Sequence, residues 1–121
     1  MKLAIVGPMN CPPAHSAVAE LVKSLPAGFV VLGGEGRPVD KFAKEFAKSR
    51  GLETWTAPLD PKFSVLACYR QMEAIVKECD KMIAIWDVED TSVTHGIRLA
   101  MMEKKLQKII TPFGVLRPEG P

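Results

Sequence analysis

The chain has 121 residues, a formal charge of +2, 47% hydrophobic and 25% charged residues. That length gives one domain with one core and no room for a second, and the balance excludes a disordered chain. A charge this small excludes nucleic acid or an anionic membrane as the default partner, and no apolar run approaches the roughly 18 residues of a membrane span.

Leu3, Ala4, Ile5 and Val6 form a continuous apolar run stopped by Gly7-Pro8, the pattern of a strand buried on both faces. The opening has a single lysine, a short apolar stretch and then prolines at 8, 12 and 13, which does not fit a secretory signal. Val18, Leu21, Val22 and Leu25 then recur at helical spacing. Phe29, Val30, Val31 and Leu32 make a second strand, stopped by Gly33-Gly34, and Val39, Phe42, Ala43, Phe46 and Ala47 a second helical stripe. Lys41, Lys44, Lys48 and Arg50, diluted by Asp40 and Glu45, read as that helix's solvated face. Residues 52–57 alternate apolar and polar, which suits an edge strand. Cys68, Met72, Ile75, Val76 and Cys79 share one face of a third helix. Met82, Ile83, Ala84, Ile85 and Trp86 form a strand ended by Asp87; Ile97, Ala100, Met101 and Lys104 mark a last helix, and Ile109-Ile110 a last strand ended by Pro112.

This alternation predicts an α/β fold of three layers: a Rossmann-like, parallel five-stranded sheet in the order 3-2-1-4-5 with helices on both faces. Residues 1–111 form the domain, and residues 112–121 a Pro/Gly-rich extended tail. The odd, scattered cysteines Cys11, Cys68 and Cys79 fit neither a disulfide frame nor zinc spacing and point to the reducing cytoplasm.

Open parallel sheets bind ligands beyond the carboxyl ends of their strands where strand order reverses. Between strands one and four, that nominates three loops: residues 7–13, 33–38 and 87–94. In the first, Gly7 lets a ligand approach the backbone and Asn10 offers an amide. In the second, Gly33, Gly34 and Gly36 with Arg37 precede a helix and read either as a phosphate cradle or as a tight turn. The third holds Asp87, Glu89 and Asp90, then Thr91, Ser92, Thr94 and His95. Asp87 can hold ribose hydroxyls or act as acid or base. Ser92 and Thr94 can cap a helix or contact a ribose or phosphate, and His95 can face a ligand or simply sit in the helix's first turn. Hard-metal cages draw on several separated segments, so no metal and no cofactor are expected. Arg70 lies away from the apolar face of its helix, either solvated or paired with a phosphate in the crevice.

These residues resemble the SLOG superfamily, the Rossmann-like group that includes the Lonely Guy phosphoribohydrolases and the DNA-processing protein A domain. The likeness is closest to its small stand-alone YspA/YpsA-like branch and runs over most of the chain. It is carried by the opening strand with Gly7, by Gly33-Gly34 followed by Asp40 and Ala43, by Arg70, by the strand ending in Trp86-Asp87, and by His95 and Ile97. Pro38 intervenes where the family has a second glycine, and Ser92-Val93 stands where it has a phosphate-contacting Gly-Thr pair. The Pro-Gly-Gly-x-Gly-Thr motif of the phosphoribohydrolases is absent, so their catalytic Arg and Glu do not carry over. The resemblance implies a nucleotide-type ligand, with Asp40 among the site residues.

Three functions compete. The first is a sensor or binding module for a nucleotide or nucleotide-derived small molecule. The second is an enzyme that cleaves or transfers an N-glycosidic bond with Asp87 as the catalytic carboxylate. The third is an interaction protein with a degenerate site. Surplus apolar residues on the third helix (Phe63, Leu66 and Tyr69, with Arg70) and the last (Leu99, Met102 and Leu106) predict a homodimer through those helices.

Overall fold

Each apolar run becomes a strand and each helical stripe a helix in the computed structural model, which describes residues 1–9 and 15–118. In chain order these are β1 Lys2–Val6, α1 His15–Lys23, β2 Val30–Gly34, α2 Pro38–Ser49 and β3 Glu53–Ala57, followed by a 3-10 segment Pro61–Leu66. Then come α3 Ala67–Glu78, β4 Lys81–Ile85, α4 Thr91–Met102, β5 Leu106–Thr111 and β6 Gly114–Leu116. The sheet order is β3-β2-β1-β4-β5-β6. The first five strands are mutually parallel, and β3 is the expected edge. The fold is thus α/β and mostly parallel, with two helices on each face.

Alternation along the strands sorts the core into two halves. Leu3, Ile5, Val31 and Ile83 pack with Val18 and Val22 of α1 and Val39, Ala43 and Ala47 of α2. Ala4, Val6, Leu32, Met82 and Ala84 pack on the other face with Met72, Ile75 and Val76 of α3 and Val93, Ile97 and Ala100 of α4. Each fully buried Val, Leu, Ile or Met side chain among these contributes about 1.5–3 kcal/mol.

The sheet departs from the expected five parallel strands at its far edge. Part of the segment expected to be a loose tail returns as β6, pairing antiparallel to β5 through Ile109–Leu116, Ile110–Val115 and Thr111–Gly114. The turn supplies the cause. Thr111 Oγ1 accepts from Phe113 N–H (3.1 Å) and donates to the Gly114 carbonyl (2.9 Å), and Gly114 adopts a φ of 135°. That value suits glycine alone, so the Pro-Phe-Gly sequence reverses the chain tightly.

Other corrections follow from element boundaries. Leu106 opens β5 and is buried, so it cannot face a partner from the last helix. Phe63 and Leu66 belong to the 3-10 segment ahead of α3 and are exposed. Lys44 is not solvated: it is buried on α2, with Nζ donating to Thr56 Oγ1 at 2.6 Å, and burial pushes its pKa down. The edge strand β3 supplies that hydroxyl, which no helical pattern reveals.

Close packing accounts for Gly7. A Cβ there would stand 2.5 Å from Val39 Cβ. Gly7→Ala should lower the unfolding free energy by about 1–3 kcal/mol, as overpacking does. Urea unfolding checks this, and a loss within experimental error would show that α2 yields freely.

Candidate functional site

β1 and β4 are adjacent, yet the chain leaves β1 for a helix on one face and leaves β4 for a helix on the other. This is the reversal point where a crevice forms beyond the carboxyl ends of the strands. Gly7, the turn after Gly34 and the loop after β4 all lie at this end.

The second loop turns its cation inward. Arg37 is 0% exposed. Its Nε donates to Gln71 Oε1 (2.8 Å), Nη1 to the Gly7 carbonyl (3.1 Å), and Nη2 to Ser92 Oγ (2.9 Å) and the Cys68 carbonyl (3.4 Å). One guanidinium therefore ties the β1 loop, α3 and α4 together above the sheet. Gln71 Nε2 continues the network to the Glu35 (2.8 Å) and Ala57 (3.1 Å) carbonyls. Gly36, at φ 82°, makes the turn that lets Arg37 point inward and Pro38 open α2.

Asp40 is likewise 0% exposed, one turn along α2. Its Oδ1 accepts from Gly7 N–H (2.9 Å) and its Oδ2 from Gly34 N–H (2.7 Å). A backbone donor from each of the first two expected ligand loops is thus held by the protein's own carboxylate. Gly33 and Gly34 are needed for closeness: a Cβ would fall 2.8 Å from Asp40 Cβ at Gly33 and 2.6 Å from the Gln71 amide at Gly34. Burial pushes the Asp40 carboxyl up to about 7, against the pull of Arg37, the Gly34 and Gly7 N–H groups and Lys44.

The β4 loop is pinned by its own acids. Asp87 Oδ1 accepts from Glu89 N–H (2.9 Å) and Asp90 N–H (2.8 Å), closing a turn in which Val88 sits at φ 73°. A β-branched residue there is strained, at a cost of roughly 1–3 kcal/mol. Asp90 caps α4, with Oδ1 accepting from Val93 N–H (3.0 Å) and Ser92 Oγ (2.6 Å). Its Oδ2 accepts from Met9 N–H (2.9 Å), which bridges the switch point itself. Although burial acts upward, the Ser92 hydroxyl and the Met9 and Val93 N–H groups hold the Asp90 carboxyl below its usual value. Thr94 Oγ1 donates to the Asp90 carbonyl (2.9 Å) and accepts from Trp86 Nε1 (3.1 Å). Both Ser92 and Thr94 are engaged with their own loop.

A second polar group joins the first turns of α3 and α4 on the outer side. Tyr69 and Glu73, one turn apart, face Thr91 and His95, also one turn apart. The Tyr69 hydroxyl donates to Thr91 Oγ1 (2.7 Å), and His95 Nε2 lies 3.0 Å from Glu73 Oε2. The Tyr69 ring meets the His95 ring edge-on, centroids 5.4 Å apart. Arg70 is half-exposed, pairs with Glu73 Oε1 (3.0 Å) and lies over the Phe63 ring beside a cleft of about 180 Å3. His95 first, and Arg70 against a small burial cost, hold the Glu73 carboxyl below its usual range.

The expected site residues thus divide. Gly7, Gly33, Gly34, Arg37, Asp40 and Ser92 converge in one buried network, with Gly36 shaping its turn. Asp87 and Thr94 form the β4 loop and helix start. Arg70 and His95 meet through Glu73 on the α3–α4 seam. Asn10 lies outside the described residues. Sequence reasoning missed Gln71, Glu73 and Tyr69. Gln71 alone carried a signal, a polar residue four before Ile75 on the buried stripe. No cluster of three metal-ligating side chains occurs among the described residues, and none of the helices they form is long and apolar enough to cross a membrane. A scan of protein-family models matches none, and a search of curated proteins finds no match.

Proposed function

We propose that the chain binds a nucleotide or nucleotide-derived ligand in the crevice beyond β1 and β4. The observation that supports this best is the reversal of crossover direction between those strands, with the β1 loop, the strained β4 loop and the start of α4 at that end. The buried network under the glycines moves the expected contacts outward. Arg37 and Asp40 shape the floor, while the Asp87 turn and the rims of α3 and α4 face the ligand.

A second reading is an enzyme acting on an N-glycosidic bond. The Glu73–His95 pair favours it, since a carboxylate-oriented imidazole can move a proton. We also propose that the chain is a cytoplasmic homodimer. Cys68 and Cys79 are free thiols, and Phe63, Leu66 and Met102 remain exposed apolar surface.

Thermal denaturation with mono-, di- and cyclic nucleotides and ADP-ribose tests the binding reading. A ligand at about 100 times its Kd stabilises by roughly 2.7 kcal/mol, a shift of several degrees. No shift with any of them would overturn it in favour of an interaction protein. Release of free base, lost in His95→Ala, would establish the enzyme reading.

A further inference from the structure

At the opposite end of the sheet, α1 and the amino-terminal ends of β1, β4 and β5 border a half-open cavity of about 350 Å3. It lies roughly one five-residue strand length, about 17 Å, from the crevice and does not depend on the reading of that site. Its origin is topological. α1 and α2 are the two described helices on this face, and the sheet continues past them: Ile85 and Ile110 stay half-buried and Val115 exposed. Leu3 and Ile83 line the cavity from the sheet, and Leu21, Leu25 and Phe29 from α1 and the chain beyond it. The register shift where β4 meets β5 brings Gln107 to the rim.

The rim is cationic. Lys81 and Lys108 line it, and among the described residues no carboxylate does. The Lys81 ammonium reaches only the Lys104 carbonyl, at 3.5 Å, and Lys108 makes no ion pair among the described residues. A second copy seated on this face with the two-fold axis through this rim would set lysines against lysines, so the charge argues for an anion instead. A mainly apolar lining with two lysines at its rim, in a volume near the lower end of the usual range for small-molecule sites, matches one ligand chemistry.

We propose that this cavity binds a medium-chain fatty carboxylate, its alkyl tail along Leu21, Leu25, Phe29 and Ile83 and its carboxylate between Lys81 and Lys108. The probe is decanoate below its micellar concentration, titrated by calorimetry into the full chain. Decyltrimethylammonium, with the same tail and the opposite charge, and acetate, with the head alone, serve as comparators. Saturable decanoate binding is expected, with no heat from acetate and affinity for the cation lower by about tenfold or more. Leu21→Trp fills the cavity from the flank of α1 and should abolish binding while the protein still melts cooperatively. Lys108→Glu should reverse the preference between the two decyl probes, and this comparison decides the matter if Leu21→Trp does not fold. Absence of decanoate binding, equal binding of both decyl probes, or undiminished binding to folded Leu21→Trp would overturn the proposal.

Discussion

Arg37→Ala should lower the unfolding free energy by about 3–5 kcal/mol, the cost of removing one member of a buried, hydrogen-bonded charged network. The substitution strips Gln71 Oε1, the Gly7 carbonyl and Ser92 Oγ of a donor and leaves Asp40 without the cation that acts on it most strongly. Each buried acceptor left unpaired adds a desolvation penalty of about 1–3 kcal/mol unless the rim relaxes to admit water. Arg37→Lys should recover only a minor part, because an ammonium cannot span three segments as the planar guanidinium does. Arg70→Ala is the contrast: its pair with Glu73 is half-exposed and such pairs contribute at most about 1 kcal/mol. Urea unfolding of the three variants checks the ranking, and equal losses at positions 37 and 70 would contradict it.

The second large effect concerns pH. Asp40 titrates near 7 in the folded chain against an ordinary value of 3.8. Between those values the native state holds a proton that the unfolded chain releases. The stability Asp40 contributes is therefore full below about pH 4 and is lost as pH rises through 7. Asp40→Asn removes this titration. Relative to that variant, the wild type should lose up to about 1.4 kcal/mol per pH unit across the window. Parallel unfolding titrations from pH 4 to 8 read the difference directly. A difference that stays constant, or one that grows in the wild type's favour with pH, would show that Arg37 and the two backbone donors outweigh burial.

The architecture was legible because strands buried on both faces leave uninterrupted apolar runs, while amphipathic helices leave stripes. Met82–Ile85 and Val39–Ala43–Ala47 could be little else. β6 escaped because a three-residue edge strand exposed at every position has no burial pattern, and Pro112 and Gly114 read as loose chain. The candidate site was legible in position but not in polarity. Placing Gly7, Gly33, Gly34 and Asp87 at the carboxyl rim needs only the strand order. Seeing that Arg37 turns inward needs Gln71 and Ser92, which lie 34 and 55 residues further along the chain. A cation between Gly36 and Pro38 reads as facing a phosphate or ending a tight turn until those partners are in place. Lys44 was misread for the same reason, its hydroxyl partner lying on another strand.

The separations that hid the Arg37 network also set when it can form. Its bonds reach back 30 residues to Gly7 and forward 55 to Ser92. Local units such as β2-α2-β3 can assemble without it, whereas the guanidinium finds its partners only after the crossovers on both faces are docked. Contacts of that range cost more loop-closure entropy than local ones, so the network is set by long-range docking and not by local propensity. The buried arginine is thus a keystone between segments far apart in the chain: without it the β1 loop, α3 and α4 lose their common hydrogen-bond partner.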